Sequence, residues 1–466
     1  MALPPGPRRP KLLQFYRWLQ HPLPFLDECA RRYGDIFTLR FPVLGDYVLV
    51  SSPALIKQVF TADPEVLQAG VANRVFEPIV GPSSIFPLDG AQHLRQRRLL
   101  LPAFHGERMH AYAEVMRDVT EASLRRWPIG QPFSVHDSMQ SITLDVILRT
   151  VFGLEEGAQM RQLAELLVEW LRPPPAAIYF LSLVQRSERG LPFGPYHAFL
   201  RLRERIDRIL HTIIAERRKA AGVERRHDIL SLMLAARDED GNPMTDGELR
   251  DELVTMIIAG HATTATSLAW AFERILANVH VRDRLHAEVT SVVGDGPLDP
   301  ATLNQLEYTD AVIKETLRAR PIAPIVVRHV QKDYAVGGYV LPAGSKLAPC
   351  IYLAHRRPDV YADPERFMPE RFIGAKIDPY QWLPFGGGIR RCLGMAFALF
   401  EAKIVLATVM ARVRLSLASV APLRPVRRGI LLAPEGGTRL VVDARSTSVA
   451  PTAAGVGAGP RVLLED

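Results

Sequence analysis

Cys392 is the residue whose surroundings promise the most chemistry. It closes the run Phe385-Gly386-Gly387-Gly388-Ile389-Arg390-Arg391-Cys392-Leu393-Gly394. A buried lone cysteine is ordinarily inert packing, but this one follows a glycine cluster and a basic pair. Glycines let the backbone turn tightly and approach a flat ligand. An apolar helix reads from Met395 to Val413, and its free N–H groups and dipole favour a thiolate just ahead of it. Arg390, two positions before the sulfur, can meet a carboxylate at the ligand's edge. The glycines alone would also suit a phosphate cradle, but no Lys-Ser/Thr pair follows them.

Upstream elements could support such a ligand. In Glu315-Thr316-Leu317-Arg318, Glu315 and Arg318 share a helix face and can pair. On its own that spacing describes a surface ion pair worth under about 1 kcal/mol. Phe367-Met-Pro-Glu-Arg371-Phe372 lies between that helix and the cysteine loop. The longest helical pattern carries Ala259-Gly260-His261-Ala262-Thr263-Thr264, a small-residue notch in which a threonine can bond back to the preceding turn. Another basic helical stretch places His93 and Arg97 on one face.

Phe385-x-x-Gly388-x-Arg390-x-Cys392-x-Gly394, continued by Ala398 and Glu401, resembles the haem-binding signature of the cytochrome P450 family, and the order and spacing of the other motifs fit it. The resemblance implies a mainly α fold with small β-sheets, a long central helix over the haem, a cysteine-ligand loop and a β-rich N-terminal lobe. It makes Cys392 the axial iron ligand of a b-type haem, with Phe385, Gly386 and Gly394 in the loop that cradles it. It joins Glu315, Arg318 and Arg371 in a buried triad, on the order of 3–5 kcal/mol to break. His93 takes the position of a usual Trp beside Arg97, and Arg328 and Arg390 match further propionate-binding positions. Gly260 would make room above the haem and Thr263 would open a groove for oxygen and water. The family usually has an acid where Ala262 stands, to pass protons to bound oxygen. Without it Thr263 must work through ordered water or another group. His261 is a poor substitute, since it lies about 100° round the helix from Ala262.

The implied activity is insertion of one oxygen atom from O2 into an organic substrate, by hydroxylation or epoxidation, with the thiolate pushing electron density into the iron. Phe76, Ile79, Ile85, Phe86, Ala259, Ile322, Ile325, Val326 and Ile430 would form an apolar substrate wall. That wall suits a fatty acid, terpenoid, steroid or polyketide. The 466 residues leave no space for a flavin or iron-sulfur domain, so electrons would come from NAD(P)H through a separate reductase and a ferredoxin or flavodoxin. An acidic partner of that kind would dock near Arg390, Arg391 and the basic helix. Two other readings compete with a monooxygenase: a peroxide-driven or rearranging enzyme, prompted by Ala262, and a haem-based sensor or carrier. Peroxide users of the family typically carry Arg near the threonine site, and none is here. A sensor would call for a signalling partner domain, which is not visible.

These residues must be positioned by a small set of elements. Ile36 to Arg40 and Tyr47 to Ser51 read as a hairpin around Pro42, Gly45 and Asp46. Ser52-Pro53 opens a helix through Phe60. Arg95 to Arg218 is mainly helical, and the breaker-rich stretch 172–196 is a candidate lid between long helices. Thr245 and Glu248 form a capping box for a helix that can run to about Asn278, roughly 50 Å. Thr309 and Asp310 cap another helix through Arg318. One domain over residues 1–445 is expected, with 446–466, rich in Ser, Thr, Ala, Gly and Pro, a disordered tail.

Composition sets the outer bounds. Hydrophobic residues make up 48% and charged residues 23%, a globular balance. The net charge of +7, from 57 basic and 50 acidic side chains, is mild. With no nucleic-acid-reading motif beside it, it does not point to DNA or RNA. Short basic clusters (Arg95, Arg97 and Arg98; Arg217, Arg218 and Lys219) read first as solvated helix faces. The three cysteines, Cys29, Cys350 and Cys392, make no disulfide framework and fit a reducing cytoplasm. Met1 to Pro10 lacks the apolar core of a leader, and no run of about 18 apolar residues spans a membrane. A cytoplasmic monomer is the expectation.

Overall fold

Alternating β-branched and aromatic residues start the sheet that carries the N-terminal lobe. Strands β1 (Ile36–Phe41) and β2 (Gly45–Val50) pair antiparallel, with Ile36 opposite Val50 and Phe41 opposite Gly45. The turn closes on Gly45 at φ 78°, a conformation open to glycine. With β3 (Leu67–Gln68), β4 (Arg328–Val330) and β5 (Lys346–Pro349), the order across the sheet is β1-β2-β5-β4-β3. Only β2 and β5 run parallel, so residues 47–50 and 346–349 are neighbours despite their separation in sequence. The structure is a computed structural model and describes residues 3–42, 44–104, 108–153, 157–170, 195–220, 222, 226–294 and 296–445. Nearly all of the expected lid at 172–196, and the whole expected tail at 446–466, lie outside the described residues.

The principal helices are α1 (Lys11–Gln20), α2 (Pro22–Tyr33), α3 (Pro53–Phe60), α4 (Gly90–Leu100), α5 (Arg108–Leu124), α6 (Val135–Phe152), α7 (Ala158–Trp170), α8 (Pro195–Lys219), α9 (Asp246–Leu276), α10 (Val279–Val293), α11 (Glu307–Ala319) and α12 (Met395–Arg412). Ser52 caps α3 as expected, its hydroxyl accepting from the Leu55 amide. α9 starts on the expected capping box, with Thr245 and Glu248 each satisfying the other's backbone N–H. It ends at Leu276 and is continuous through Thr263. Its apolar length would suit a membrane span, but most of it is buried inside the protein. A large buried cluster runs from α4 to α12, and two smaller ones flank the sheet.

One helix start departs from expectation. α11 begins at Glu307, so Thr309 and Asp310 lie inside its first turn instead of capping it. The free amides of Tyr308 and Thr309 are taken by the carboxylate of Glu288 on α10, at 2.6 and 2.8 Å. A side chain from another helix supplies the cap, and local sequence does not reveal it.

Candidate haem-thiolate site

The cysteine loop folds back on itself through a hydrogen bond from the Cys392 amide to the Phe385 carbonyl, 3.0 Å. Gly386 and Gly388 adopt φ 66° and 65°, in the left-handed region that side chains disfavour. A Cβ at Gly387 or Gly388 would also lie 2.3–2.4 Å from Phe60 of α3. These two glycines therefore admit Phe60 and not only a flat ligand, a packing role the sequence reading lacked. Gly386 faces Val326 instead.

Cys392 is accessible to solvent yet has protein packed closely around it. Burial pushes its thiol up, while the Gly394 amide and the charges of Arg97 and Arg391 oppose that shift. Gly394 is the N-cap of α12, so the expected helix start stands next to the sulfur. Cys29 and Cys350 are different: both are buried, and burial pushes their thiols up to about 12.

Cations gather beside this loop. His93, Arg328 and Arg390 line one small cavity with Asp89 as the acid among them. Arg328 is 7% exposed, donates among the described residues only to the carbonyl of Val327 and lies 5.6 Å from the Phe60 ring centre. Burial and then Arg390 lower its pKa to about 10. Burial, followed by Arg390, Arg97 and Arg328, presses His93 down to about 3, so it is neutral at pH 7. Arg97 donates to the Arg391 carbonyl at 2.8 Å. Arg390 is more heavily engaged than its expected role required: it bonds the carbonyls of Ile85 and Leu88 and pairs with Asp89 at 2.8 Å. Asp89 also accepts from the amides of Gly70 and Val71. Sequence reasoning missed Asp89, whose position before α4 looks like an ordinary helix cap.

A buried guanidinium without a carboxylate ion pair among the described residues, in a cavity lined by the loop that carries Cys392, is the donor set a haem would satisfy. The residues fit the group. Cys392 would hold the iron, and Arg328, His93 and Arg97 would meet the propionates, with Arg390 holding residues 85–89 beside them.

Behind the site, Arg318 bonds Glu315 through Nε at 2.6 Å and Nη2 at 2.8 Å, and neither side chain is exposed. Arg371 stands 3.5 Å from the same carboxylate, so the structure brings the three expected residues together. Arg318 also donates to the carbonyls of His355 and Pro364, at 2.9 Å each. The triad thus ties α11 to the irregular chain that leads into the cysteine loop.

On α9, Ala259, Ala262, Thr263 and Ser267 form a half-buried stripe with helical spacing. The hydroxyl of Thr263 bonds back to the Ala259 carbonyl, and that of Ser267 to the Thr263 carbonyl. Gly260 is half-buried beside this stripe, and a Cβ there would lie 2.6 Å from Ile147 of α6, so the missing side chain admits that helix. His261 turns the same way, its Nδ1 3.0 Å from the Thr143 hydroxyl, and burial lowers its pKa to about 4.

The expected substrate wall is mixed. Ile85 and Ile322 belong to the large core, with Ile79 and Phe86 half-buried against it. The Phe76 and Phe86 rings meet edge to face at 6.2 Å. Ile325 and Val326 pack on the two smaller clusters. Ile430 is 37% exposed, at the turn before a short strand. The basic clusters are also less free than a solvated face would be. Arg95 pairs with Asp238 and Glu248, and Arg217 is buried against Asp228.

A mainly α fold with a glycine-rich cysteine loop, a cationic cleft and a long helix alongside defines a haem-thiolate protein. The family model for cytochrome P450 matches residues 3–441. Cytochrome P450 135B1 of Mycobacterium tuberculosis is 40% identical over 464 residues, covering 98% of this chain and 95% of that protein. Cytochrome P450 138 of the same species is 36% identical, covering 96% and 97%. Among solved structures, the haem domain of cytochrome P450DA superposes with a TM-score of 0.83 at 25% identity, covering 95% of this chain and 98% of that one. Cyanobacterial CYP120A1, solved with retinoic acid bound, superposes with a TM-score of 0.81 at 24% identity, covering 96% and 100%, a likeness of fold. The chain belongs to the cytochrome P450 family and is a haem-thiolate monooxygenase, an oxidoreductase that uses O2 and electrons from a redox partner on a lipophilic substrate.

Proposed function

We propose that this chain hydroxylates or epoxidises a lipophilic substrate of the fatty acid, terpenoid, steroid or polyketide kind. The observation that carries the reading is the solvent-accessible Cys392 in a loop bordered by apolar residues, Val326 beside Gly386 foremost. The retinoic acid bound by the structural neighbour CYP120A1 belongs to the same lipophilic class.

When bound, the haem supplies the activation of dioxygen. The protein's own residues do the rest. Cys392 would hold the haem iron as a thiolate and lend it electron density, and the buried Glu315–Arg318 pair keeps the loop's approach rigid. Apolar residues hold the substrate and exclude water. The Thr263 hydroxyl, anchored on Ala259, can orient a water in place of the acid that Ala262 lacks. Electrons come from NAD(P)H through a ferredoxin or flavodoxin and its reductase. With Arg390 committed to Asp89 and Arg97 turned toward the haem cleft, the docking charges are the exposed Arg391 and the exposed Arg98, which also pairs with Glu239. The protein works as a cytoplasmic monomer.

The test is a reduced-plus-carbon-monoxide spectrum followed by a screen of lipophilic compounds for a high-spin shift. A Soret band at the position of an imidazole-ligated haem would overturn the thiolate assignment. Product formed with NAD(P)H and surrogate partners, and not with peroxide alone, supports the O2-dependent reading. The opposite result favours the peroxide-driven one. Charge reversal at Arg98 and Arg391 that left the reduction rate unchanged at low salt would remove the docking site.

A further inference from the structure

Residues 81–89 form neither helix nor strand, so their buried amides and carbonyls must find partners on other elements. Helix α9 supplies them from one side. Asp251 accepts from the Ser83 amide at 2.9 Å, and the hydroxyls of Ser84 and Thr255 share a hydrogen bond of 2.7 Å. Glu252 accepts from the Ile85 amide at 2.7 Å. The segment lies hard on the helix. A Cβ at Gly81, where φ is 90°, would stand 2.1 Å from the Asp251 carboxylate.

Ile85 is held from the other side as well. Its carbonyl accepts at 2.8 Å from Arg390, two residues before Cys392. One residue therefore bridges α9 and the cysteine loop, the elements that carry Thr263 and Cys392. Ala259 follows Glu252 by seven residues. The two thus lie within about 20° of the same helix face and about 10 Å apart along its axis. The backbone of Ile85 is anchored at the upstream end of the half-buried stripe that runs from Ala259 to Ser267.

Glu252 is a costly way to pack this part of α9. It is 0% exposed, its Oε2 has no hydrogen-bond partner among the described residues, and burial holds its pKa well above the usual 4.5. An apolar residue would avoid that desolvation. What the carboxyl gives in return, among the described residues, is the bond to the Ile85 amide. We propose that Glu252 is a positioning residue for substrate selection: opposite Arg390, it fixes Ile85 as the end wall of the pocket along α9 and so limits the bulk that can sit over Cys392. The proposal rests on the reading of Ile85 as part of a lipophilic substrate pocket.

The experiment uses the haem-loaded full chain and two azoles that ligate the iron, imidazole and the bulky clotrimazole, each titrated by its difference spectrum. Glu252→Met should move the ratio of their affinities about tenfold toward clotrimazole, whereas Glu252→Gln, which keeps the acceptor, should hold it within about twofold. Glu252→Asp is a methylene too short to reach Ile85 and should move the ratio as Glu252→Met does, which serves if the methionine variant loads no haem. Ile85→Ala should move it in the same direction, and adding Glu252→Met to that variant should change it by less than about twofold more. Deuterium exchange at the Ile85 amide should quicken by about tenfold in Glu252→Met and not in Glu252→Gln. A residue that only stabilises the fold would lower the melting temperature and leave the ratio in place. The proposal is overturned if the ratio stays at its wild-type value in Glu252→Met or Glu252→Asp, or if the Glu252 and Ile85 substitutions add in full. A ratio that moves as expected while no lipophilic compound gives a high-spin shift upholds the role of Glu252 and overturns the substrate class instead.

Discussion

Arg318 grips both carboxylate oxygens of Glu315, at 2.6 and 2.8 Å, in a place where neither side chain meets solvent. The remaining donors of the guanidinium go to backbone carbonyls of the chain that leads to Cys392. Lysine keeps the charge but has no fork to serve the carboxylate and those carbonyls together. Arg318→Lys should therefore lower stability by roughly 3–5 kcal/mol and cut the haem content of purified protein. The denaturant midpoint and the haem-to-protein ratio measure both. A variant with wild-type values would show that the pair is dispensable.

Thiol reactivity should separate the cysteines. At pH 8 the fraction of Cys29 or Cys350 present as thiolate is on the order of one in ten thousand, since burial pushes both to about 12. Haem-free protein treated with iodoacetamide should take up one equivalent, at Cys392, and Cys392→Ser should take up none. Peptide mass mapping reads the result, and modification of Cys350 under native conditions would contradict it.

Much of this site is legible in the sequence because its parts are local. The cysteine run, the Glu-x-x-Arg turn and the Thr245 capping box each declare themselves within ten residues. Contacts made by distant partners do not. Glu288 caps α11 from another helix, Asp89 anchors residues 70 and 71 instead of its own helix, and Phe60 fills the space that Gly387 and Gly388 leave. Gly260 shows the same limit at one position. Its spacing placed it on α9, but only the packing of Ile147 shows which neighbour it admits.

Arg328 predicts effects of opposite sign in the two forms of the protein. Its guanidinium is buried and pairs with no carboxylate among the described residues, which costs the haem-free fold desolvation free energy. Arg328→Met should stabilise the haem-free protein by about 1–3 kcal/mol and weaken haem binding by roughly tenfold or more. Thermal melts of the haem-free chain and haem transfer to an acceptor globin give the two quantities. Destabilisation of the haem-free form would mean that Arg328 is satisfied within the protein itself.

Thr263 should govern coupling more than binding. Its hydroxyl is held by the Ala259 carbonyl, and no acid stands at Ala262 to share its task. Thr263→Ala should raise the hydrogen peroxide released per NAD(P)H several-fold while leaving substrate affinity within about twofold. Ala262→Asp, which restores an acid at this position, should lower peroxide release. Peroxide and product are counted against NAD(P)H consumed. A Thr263→Ala enzyme with unchanged coupling would place proton delivery elsewhere.

Glu401 should make stability depend on pH in a direction of its own. It is fully buried on α12, neither carboxylate oxygen has a hydrogen-bond partner among the described residues, and burial holds its pKa well above the usual 4.5. Above about pH 4.5 the unfolded chain gives up this proton while the folded chain keeps it. The folded state is therefore increasingly disfavoured as pH rises from there toward the folded pKa, and any advantage of the protonated buried acid lies at lower pH. His261 works the other way. With its folded pKa lowered to about 4, the unfolded chain binds the extra proton, so stability is lost as pH falls below about 6.5. Glu401→Gln cannot ionise. Its melting temperature relative to wild type should rise between pH 5 and pH 8, whereas that of His261→Gln should rise between pH 6.5 and pH 4.5. Parallel curves for Glu401→Gln and wild type across pH 5–8 would mean that Glu401 ionises freely in the folded protein.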